Sequence, residues 1–263
     1  MSIITRYNVK SFGNGQPILF AHGFGCDQNM WRFVAPAFEG NYQVVLFDYI
    51  GAGQSDFSLY NPSRYRYLSS YAEDILTICD GLGLQKTILV GHSVSAIIGI
   101  LAAIQQPAFF ASVVLVAPSP CYINDGKYVG GFEKKDVEDL LHYLDSNYLS
   151  WSSMMAPLVI GNPDRPDLES ELENSFCRTN PEIAKNFARA TFLSDNRDDL
   201  KKLQTKALIL QCSHDMLAPE TVGQYMHSEL QNSELVLLKA TGHCPQLSAP
   251  DETITAIKAF LAT

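Results

Sequence analysis

The amino-acid sequence predicts an α/β fold, in which a mostly parallel central sheet is flanked by helices and carries a helical insertion. Three observations lead to this prediction. Short apolar, β-branched segments recur along the chain, amphipathic helical patterns alternate with them, and the alternation stops once, between residues 121 and 194. Alternating strands and helices favour a parallel sheet because each helix returns the chain to the edge from which the next strand starts.

Six segments have the composition of buried strands. Each is short, almost wholly apolar and rich in valine, isoleucine and leucine, which is typical of a sheet covered on both faces. They are residues 17–23, 42–48, 87–91, 112–118, 206–212 and 234–240. A helix is predicted over residues 68–82, where Tyr71 and Ile75 belong to one apolar stripe. Another is predicted over residues 95–106, which Pro107 ends.

The insertion consists of consecutive amphipathic helical patterns separated by Gly, Asn and Pro, with no strand among them. The patterns cover residues 132–148, 148–161, 165–178 and 180–195. A chain of 263 residues with 46% hydrophobic content is long enough to close a full core as one domain. We therefore expect a single α/β domain over residues 1–263 that contains a helical insertion over residues 121–194.

Composition and charge exclude several classes of protein. A net charge of −9 opposes binding to phosphate backbones, and the lysine pairs at 134–135 and 201–202 are too short for a basic patch, so no nucleic-acid partner is expected. The N-terminal residues lack the pattern of a signal peptide, and no apolar run approaches the roughly 20 residues of a membrane span. The sequence therefore predicts a soluble, cytoplasmic protein with no membrane contact.

The cysteines are spread along the chain without any C-x-x-C pair, so neither a zinc site nor a dense disulfide framework is expected. They are Cys26, Cys79, Cys121, Cys177, Cys212 and Cys244. We interpret them as reduced residues that serve mostly in packing. Cys244 differs in one respect, because it follows His243 and a neighbouring imidazole can lower the pKa of a thiol.

The segment LVGHSVSA, residues 89–96, places Ser93 directly between a predicted strand and a predicted helix. A nucleophile can be held on such a sharp turn if its neighbours are small enough for the strand and helix to cross closely. Gly91 and Ser95 are these neighbours, although the second glycine of the usual G-x-S-x-G pattern is replaced by serine. A serine in this place is also commonly an N-cap. The strand before it and the helix after it favour a catalytic nucleophile.

A serine hydroxyl becomes a good nucleophile only when a base takes its proton, and that base needs a carboxylate to orient it. Where the nucleophile follows a strand in this way, the expected chain order is serine, aspartate or glutamate, then histidine. Asp215 lies in the loop after strand 206–212, and His243 lies in the loop after strand 234–240. Both loops are predicted at the carboxyl edge of the sheet, near Ser93.

The other histidines that we compared with His243 are weaker candidates for the base. His142 and His227 lie within helical patterns, and His214 precedes Asp215 in the chain, which is the wrong order. His92 is next to the nucleophile, so its side chain is predicted to point away from the apex of the turn. We assign His92 to packing.

Attack on a carbonyl creates an oxyanion that needs backbone N–H donors. The residue after the nucleophile supplies one donor, and a loop after an early strand supplies the other. Here these are the N–H groups of Val94 and Phe24, and Gly23 and Gly25 let the second loop curl towards the site. An ordinary turn is the alternative interpretation of this glycine-rich loop. Its place directly after a strand favours the oxyanion role.

The assembled residues resemble the α/β-hydrolase superfamily, and within it the group that contains the bacterial stress-regulatory hydrolase RsbQ and the plant karrikin and strigolactone receptors. The resemblance is carried by HGFGCDQNMW, FDYIGAGQSD, VGHSVSAIIG, PSPCYIND, GGFE and GHCPQLSAPDE, at residues 22–31, 47–56, 90–99, 118–125, 130–133 and 242–252. GHSVSA resembles the plant form. FDYIGAGQSD, PSPCYIND and FCRTNP resemble the bacterial form, to which the chain is somewhat closer.

The resemblance implies an α/β-hydrolase fold with a triad at Ser93, Asp215 and His243, and a cap of four helices over a mostly hydrophobic pocket. By position, the pocket residues are Phe24, Phe132, Trp151, Met155, Phe192 and Leu217. The resemblance also implies slow hydrolysis of a small apolar ester or a butenolide-like ligand. It implies a regulatory partner, which is a phosphatase with a sensory domain in the bacterial case and an F-box protein in the plant case.

Two main functions follow from these observations. One is a serine hydrolase of the carboxylesterase or lactonase type, and the other is a ligand-sensing regulator in which slow hydrolysis serves partner binding. A hydrolase fold kept only for binding is a third, weaker possibility, because the serine, aspartate and histidine are all present. No cofactor or metal is expected, since the chain has no dinucleotide motif or metal-ligand spacing, and GAGQS at 51–55 is interpreted as a loop.

Overall fold

A seven-stranded sheet forms the centre of the computed structural model, which describes residues 2–262. Its strands are β1 (Lys10–Phe12), β2 (Gln16–Ala21), β3 (Tyr42–Leu46), β4 (Thr87–His92), β5 (Phe110–Val116), β6 (Lys206–His214) and β7 (Ser233–Thr241). Their order across the sheet is β1-β3-β2-β4-β5-β6-β7. Only β1 is antiparallel to its neighbour, so the prediction of a mostly parallel sheet is confirmed.

Helices connect and cover the strands. They are α1 (Ile3–Arg6), α2 (Leu68–Gly81), α3 (Val94–Gln105), α4 (Lys134–Ser146), α5 (Tyr148–Ile160), α6 (Pro166–Arg178), α7 (Pro181–Phe192), α8 (Arg197–Leu200), α9 (Glu220–Glu229), α10 (Pro245–Ser248) and α11 (Pro250–Leu261). Four of them have proline near the start, where its missing N–H breaks no helical hydrogen bond. Among the described residues, no helix combines the length and the apolar character needed to cross a bilayer.

Strands β2 to β5 are apolar over most of their length because both faces of the sheet are covered there. In β2, Ile18 and Phe20 belong to one apolar cluster, whereas Leu19 and Ala21 belong to the other. Successive strand residues point to opposite faces, so each strand supplies both clusters. Helices α2 and α3 pack into the cluster of Leu19, and helices α4, α5 and α6 pack into that of Ile18.

The edge strand β1 was not predicted from the sequence. It has only three residues, of which Lys10 and Ser11 are exposed, so it lacks the apolar pattern of the other strands. It pairs with β3 through backbone hydrogen bonds, with Lys10 opposite Leu46. Short, polar edge strands of this kind resist pairing with other chains and leave little signal in a sequence.

Helices α4 to α7 occupy the predicted insertion, and we call them the cap. The chain leaves the sheet region and returns to it at one place, where Cys121 bridges Asp195 and the N–H of Asn196 donates to the carbonyl of Pro120 at 2.8 Å. Before α4, an isolated bridge joins Ile123 to Phe132. The insertion is thus tied at its base by backbone hydrogen bonds.

Candidate active site

Ser93 is the single residue between strand β4 and helix α3, and its backbone is strained. Its φ of 56° and ψ of −124° lie outside the regions that residues with a side chain prefer, at a cost of about 1–3 kcal/mol. The turn needs Gly91, because a Cβ there would lie 2.3 Å from the carbonyl oxygen of Ser95. The N–H of Ser93 donates to the carbonyl of Val116 at 2.8 Å, which fixes the turn against β5.

Ser95, which replaces the second glycine of the usual pattern, has a structural role of its own. Its hydroxyl donates to the carbonyl of His22 at 2.5 Å and lies 3.0 Å from the hydroxyl of Tyr49. The Ser95 side chain is fully buried, and both of these groups are within hydrogen-bond distance of its hydroxyl. Ser95 therefore ties the start of α3 to the loop after β2, and its hydroxyl is occupied there.

The three side chains predicted as a triad meet in a continuous series of hydrogen bonds. Ser93 Oγ lies 2.7 Å from His243 Nε2, and His243 Nδ1 lies 2.6 Å from Asp215 Oδ2. All three residues are at least nine-tenths buried. They come from the carboxyl ends of β4, β6 and β7, which meet at one edge of the sheet. This geometry suits proton transfer from the hydroxyl to the imidazole.

The carboxylate of Asp215 is held by the backbone that follows it. Its Oδ1 accepts hydrogen bonds from the N–H groups of Leu217 at 2.8 Å and Ala218 at 3.2 Å. Because Oδ1 is occupied in this way, Oδ2 faces the imidazole as an acceptor. His243 must then carry a proton on Nδ1, which leaves Nε2 as the acceptor for the hydroxyl of Ser93.

Within residues 2–262, neither of the two backbone groups predicted to bind an oxyanion, the N–H of Phe24 and the N–H of Val94, donates a hydrogen bond. Val94 begins α3, so its N–H is one of the donors that a helix leaves unsatisfied. Phe24 lies in the loop after β2, where Gly25 has a φ of 68° and a Cβ would lie 2.3 Å from the ring of Phe176.

The loop that carries His243 is attached directly to the cap, a contact that the sequence did not predict. The N–H of His243 donates to the carbonyl of Val159, in α5, at 2.8 Å. Asn162, just after α5, donates through Nδ2 to the carbonyl of Thr241 at 3.0 Å. A Cβ on Gly242, which has a φ of 79°, would lie only 1.7 Å from the carbonyl oxygen of Ile160. Hydrogen bonds therefore join the cap to the loop of the candidate base.

Gly242→Ala is expected to lower ester turnover by about 100-fold, because the added methyl group must push the His243 loop away from α5. The measurement is kcat together with the midpoint of urea unfolding. Gly83→Ala is the matched control, since Gly83 also has a positive φ, of 64°, but no atom lies within 4 Å of its Cβ position. Turnover in Gly242→Ala equal to that of Gly83→Ala would contradict the proposed attachment.

His92 has a more specific place than the packing role assigned from the sequence. Its Nε2 donates to the carbonyl oxygen of His243 at 2.8 Å, and its ring lies 5.1 Å from the His243 ring. It lines the cavity beside Ser93. Burial lowers the pKa of His92 from 6.5 to about 3, with a smaller contribution from His243. A neutral, buried imidazole thus supports the loop of the candidate base.

The lowered pKa of His92 predicts a dependence of stability on pH. The unfolded chain takes up a proton at His92 below about pH 6.5, whereas the folded chain does so only near pH 3. This residue therefore lowers the free energy of unfolding as the pH falls from 6.5 to 3, by up to about 1.4 kcal/mol per pH unit. His92→Gln should show a shallower slope in urea unfolding over this range. An unchanged slope would contradict a neutral His92 in the folded protein.

A cavity of about 30 Å³ lies beside Ser93 and under the cap. Besides Ser93 and His243, it is lined by Phe24, Cys26, His92, Tyr122, Trp151, Met155, Val159, Leu172, Phe176, Thr191, Phe192, Leu217 and Cys244. Five of the six pocket residues implied by the family resemblance are among them. None of these side chains is an acid, a lysine or an arginine. Burying a charged group against such a lining is costly, because no side chain of opposite charge compensates it.

Phe132 is the implied pocket residue that does not line this cavity. Its backbone pairs with the segment before the cap, since its N–H donates to the carbonyl of Tyr122 at 3.1 Å and its carbonyl accepts from Asn124 at 2.8 Å. This pairing places Tyr122 against the cavity. Burial raises the pKa of Tyr122 to about 12, and an interaction of its hydroxyl with Ser93 acts in the opposite direction.

Several cavity residues were missed by sequence reasoning because their signals are those of ordinary core residues. Phe176 and Leu172 follow the apolar stripe of α6, and Val159 follows that of α5. No local sequence pattern distinguishes a residue that faces a small cavity from one that packs against a neighbouring side chain. Tyr122 lies within PSPCYIND, one of the segments that carry the family resemblance. That resemblance was the only sequence feature that could have identified Tyr122 as a cavity residue.

Cys244 is not an activated thiol. Burial raises its pKa well above the usual value, and Cys26 nearby raises it further. The packing interpretation of Cys244 therefore fits the structure, in which removal from water is the largest influence on this thiol. Burial also raises the pKa of Cys26 to about 12. Among the described residues, no group of three or more His, Cys, Asp or Glu side chains is arranged to hold a metal ion.

Comparison with known protein families matches residues 16–250 to the family described as alpha/beta hydrolase fold. The chain is similar to a probable esterase from Oryza sativa subsp. japonica, with 40% identity over 258 residues, 95% of this chain and 94% of that protein. It is also similar to a strigolactone esterase from Arabidopsis thaliana, with 39% identity over 251 residues, 95% of this chain and 94% of that protein.

A karrikin insensitive 2 receptor from Petunia hybrida is 39% identical over 257 residues, again 95% of this chain and 94% of that protein. Among solved structures, a hydrolase from Oleispira antarctica has a TM-score of 0.97 and 42% identity, over 99% of this chain and 96% of that chain. These relatives carry names of both kinds expected from the sequence, esterase and receptor.

Proposed function

This chain belongs to the α/β-hydrolase family, and we propose that it hydrolyses a small, largely apolar ester or lactone through an acyl-enzyme formed on Ser93. The observation that carries this proposal is the series of hydrogen bonds from Ser93 through His243 to Asp215, at 2.7 and 2.6 Å. A serine with only a structural role would not need hydrogen bonds to a histidine and, through it, to an aspartate. The esterase names of relatives that cover nearly the whole chain support the same reaction class.

The first half of the proposed reaction forms the acyl-enzyme. His243 Nε2 takes the proton of the Ser93 hydroxyl as its oxygen attacks the ester carbonyl. The N–H groups of Phe24 and Val94 stabilise the developing oxyanion, and Asp215 stabilises the imidazolium through its hydrogen bond to Nδ1. When the carbon–oxygen bond breaks, His243 returns the proton to the departing alkoxide.

The second half releases the acyl group. His243 takes a proton from a water molecule, whose oxygen attacks the acyl carbon, and the collapse of the second oxyanion restores the Ser93 hydroxyl with that proton. In a lactone the alcohol stays attached to the acyl chain, so ring opening and hydrolysis give one hydroxy acid. No cofactor enters either half of this scheme.

The apolar cavity supports the proposed class of substrate. Its lining contains no acidic or basic side chain other than the imidazoles of His92 and His243, so binding draws on apolar contact. Its volume of about 30 Å³ holds only one or two water molecules. A bound ester must therefore displace side chains or part of the cap.

A second candidate function is ligand sensing, and the attachment of the cap to the His243 loop favours it. Trp151, Met155 and Val159 of α5 line the cavity, and Val159 also accepts the hydrogen bond from the His243 N–H. A ligand that moves α5 thus changes the cap surface and the candidate base together. In this role, slow turnover sets how long the protein stays in contact with a regulatory protein. The candidate partners are a phosphatase with a sensory domain and an F-box protein.

Pre-steady-state kinetics with p-nitrophenyl acetate test the proposed hydrolysis. An acyl-enzyme mechanism predicts a burst of p-nitrophenol close to one equivalent per protein, followed by a slower steady state. The absence of any ester or lactone turnover, with a folded protein, would reject hydrolysis. For the sensing role, a lactone should change the urea-unfolding midpoint of Ser93→Ala, and no change across a panel of lactones would count against it.

A further inference from the structure

A second cavity, of about 20 Å³, lies behind the first and contains no part of the triad. Its lining residues are His22, Phe24, Gly25, Cys26, Tyr49, Ile50, Gly51, Ala52, Tyr71, Thr179, Ile183, Ala184 and Phe187. The two cavities share Phe24 and Cys26. The second cavity therefore lies between the loop after β3 and the start of α7, on the far side of Phe24 from Ser93.

Phe24 is the wall between the two cavities. Its ring centroid lies 5.9 Å from that of Trp151 and 6.5 Å from that of Phe192, which line the first cavity. It lies 5.7 Å from that of Phe187, which lines the second. The Phe24 side chain packs against both apolar clusters and has no polar atom, so its displacement loses packing and breaks no hydrogen bond. The ring of Phe24 thus separates the cavity beside Ser93 from the second cavity.

The second cavity contains a buried hydroxyl without a partner. Tyr71 is 1% exposed, and its OH makes no hydrogen bond within the described residues. The other hydroxyl and imidazole side chains that line this cavity have partners, and that of Thr179 is the carbonyl of Ser175. His22 bonds to Gly23 and Tyr49, and the Tyr49 hydroxyl bonds to Ser95. Buried polar groups rarely lack partners, so an unpaired hydroxyl beside a cavity points to an absent acceptor.

We propose that the second cavity is a subsite for the distal end of the substrate, with Tyr71 as its hydrogen-bond donor. This inference rests on the proposed hydrolysis at Ser93 and names the substrate class more closely. The substrate is an ester or lactone with an apolar chain and a remote oxygen acceptor, such as a carbonyl or ether. Binding displaces the Phe24 ring, which joins the two cavities, and the remote oxygen accepts from the Tyr71 hydroxyl.

Two matched series of esters test the subsite by kinetics. One series is the p-nitrophenyl alkanoates from acetate to decanoate, and in the other a ketone replaces one remote methylene at successive positions. At one position, kcat/KM for the keto ester should exceed that of its parent by about 5-fold, and Tyr71→Phe should abolish this preference. Tyr225→Phe is the control, because Tyr225 packs against Tyr128 and lines neither cavity.

Phe24→Ala tests the wall independently of Tyr71. Removing the ring joins the cavities permanently, so the ratio of kcat/KM for octanoate to that for acetate should rise by about 10-fold. The ratio cancels any loss of oxyanion binding common to both substrates. An unchanged chain-length ratio in Phe24→Ala, or an unchanged keto preference in Tyr71→Phe, would overturn the proposed subsite.

Binding to Ser93→Ala separates this inference from the proposed reaction. Calorimetry with 2-octanone and the diketones from 2,5-hexanedione to 2,9-decanedione needs no turnover. Tighter binding of one diketone, lost in Ser93→Ala/Tyr71→Phe, supports the subsite even if the wild-type protein hydrolyses no ester. Hydrolysis without any effect of Tyr71 or Phe24 on either assay rejects the subsite and leaves the reaction standing.

Discussion

Replacing Ser93 with alanine is expected to lower the turnover of p-nitrophenyl acetate by roughly 10⁴-fold or more, because no other group takes over the attack. The hydroxyl is within 2.7 Å of the imidazole that activates it. Alanine leaves His243 Nε2 without its partner, but its small side chain fits the same turn. The loss should appear in kcat, with a urea-unfolding midpoint near that of the wild type.

Ser95→Ala is the matched control for this result. Ser95 lies two residues further along the same turn and loses hydrogen bonds to His22 and Tyr49 when it is replaced. Its removal is expected to reduce stability by about 1–3 kcal/mol and to leave the acylation step in place. If Ser95→Ala abolished acylation while Ser93→Ala kept it, the nucleophile would have been wrongly assigned.

Asp215→Asn should lower kcat by roughly 10³- to 10⁴-fold while the fold is retained. The amide oxygen can keep the hydrogen bonds from Leu217 and Ala218, which turns the NH₂ group towards His243 Nδ1. Nδ1 must then accept, so the proton moves to Nε2. An imidazole with Nε2–H cannot take the proton of the Ser93 hydroxyl. The measurement is kcat for p-nitrophenyl acetate.

Asp74→Asn is the control for a change from a buried carboxylate to an amide. Asp74 lies on the buried face of α2, accepts hydrogen bonds from Tyr7, Tyr65 and Arg64, and makes no hydrogen bond with His243. Its replacement should lower the unfolding midpoint without a comparable loss of kcat. Equal losses of turnover in the two variants would mean that general destabilisation, and not the imidazole tautomer, explains the effect of Asp215→Asn.

Local sequence patterns indicate those features of the fold and of the candidate site that local physics controls. Ser93 needs small neighbours because a strand and a helix cross at its turn, so Gly91 and Ser95 mark the place. Asp215 and His243 follow buried strands, and the carboxyl ends of parallel strands meet at one edge of the sheet. The seven-stranded architecture follows from the same alternation, with only the polar strand β1 missed.

The features that the sequence did not predict depend on contacts between distant segments. His92 supports the carbonyl of His243 across 151 positions of the chain, and nothing near His92 signals this contact. The attachment of α5 to the His243 loop depends on how the cap sits on the sheet. Phe132 was placed in the pocket by position along the chain, whereas backbone pairing with residues 122–124 places Tyr122 there instead.

Intact-mass spectrometry followed by peptide mapping, after reaction with an activated ester or a small lactone, tests the central claim most directly. The account predicts one acyl group per protein, located on the peptide that contains Ser93, and no adduct in Ser93→Ala. An acyl group carried by any other residue of the functional protein, or ester turnover that proceeds with Ser93 unmodified and dispensable, would contradict it.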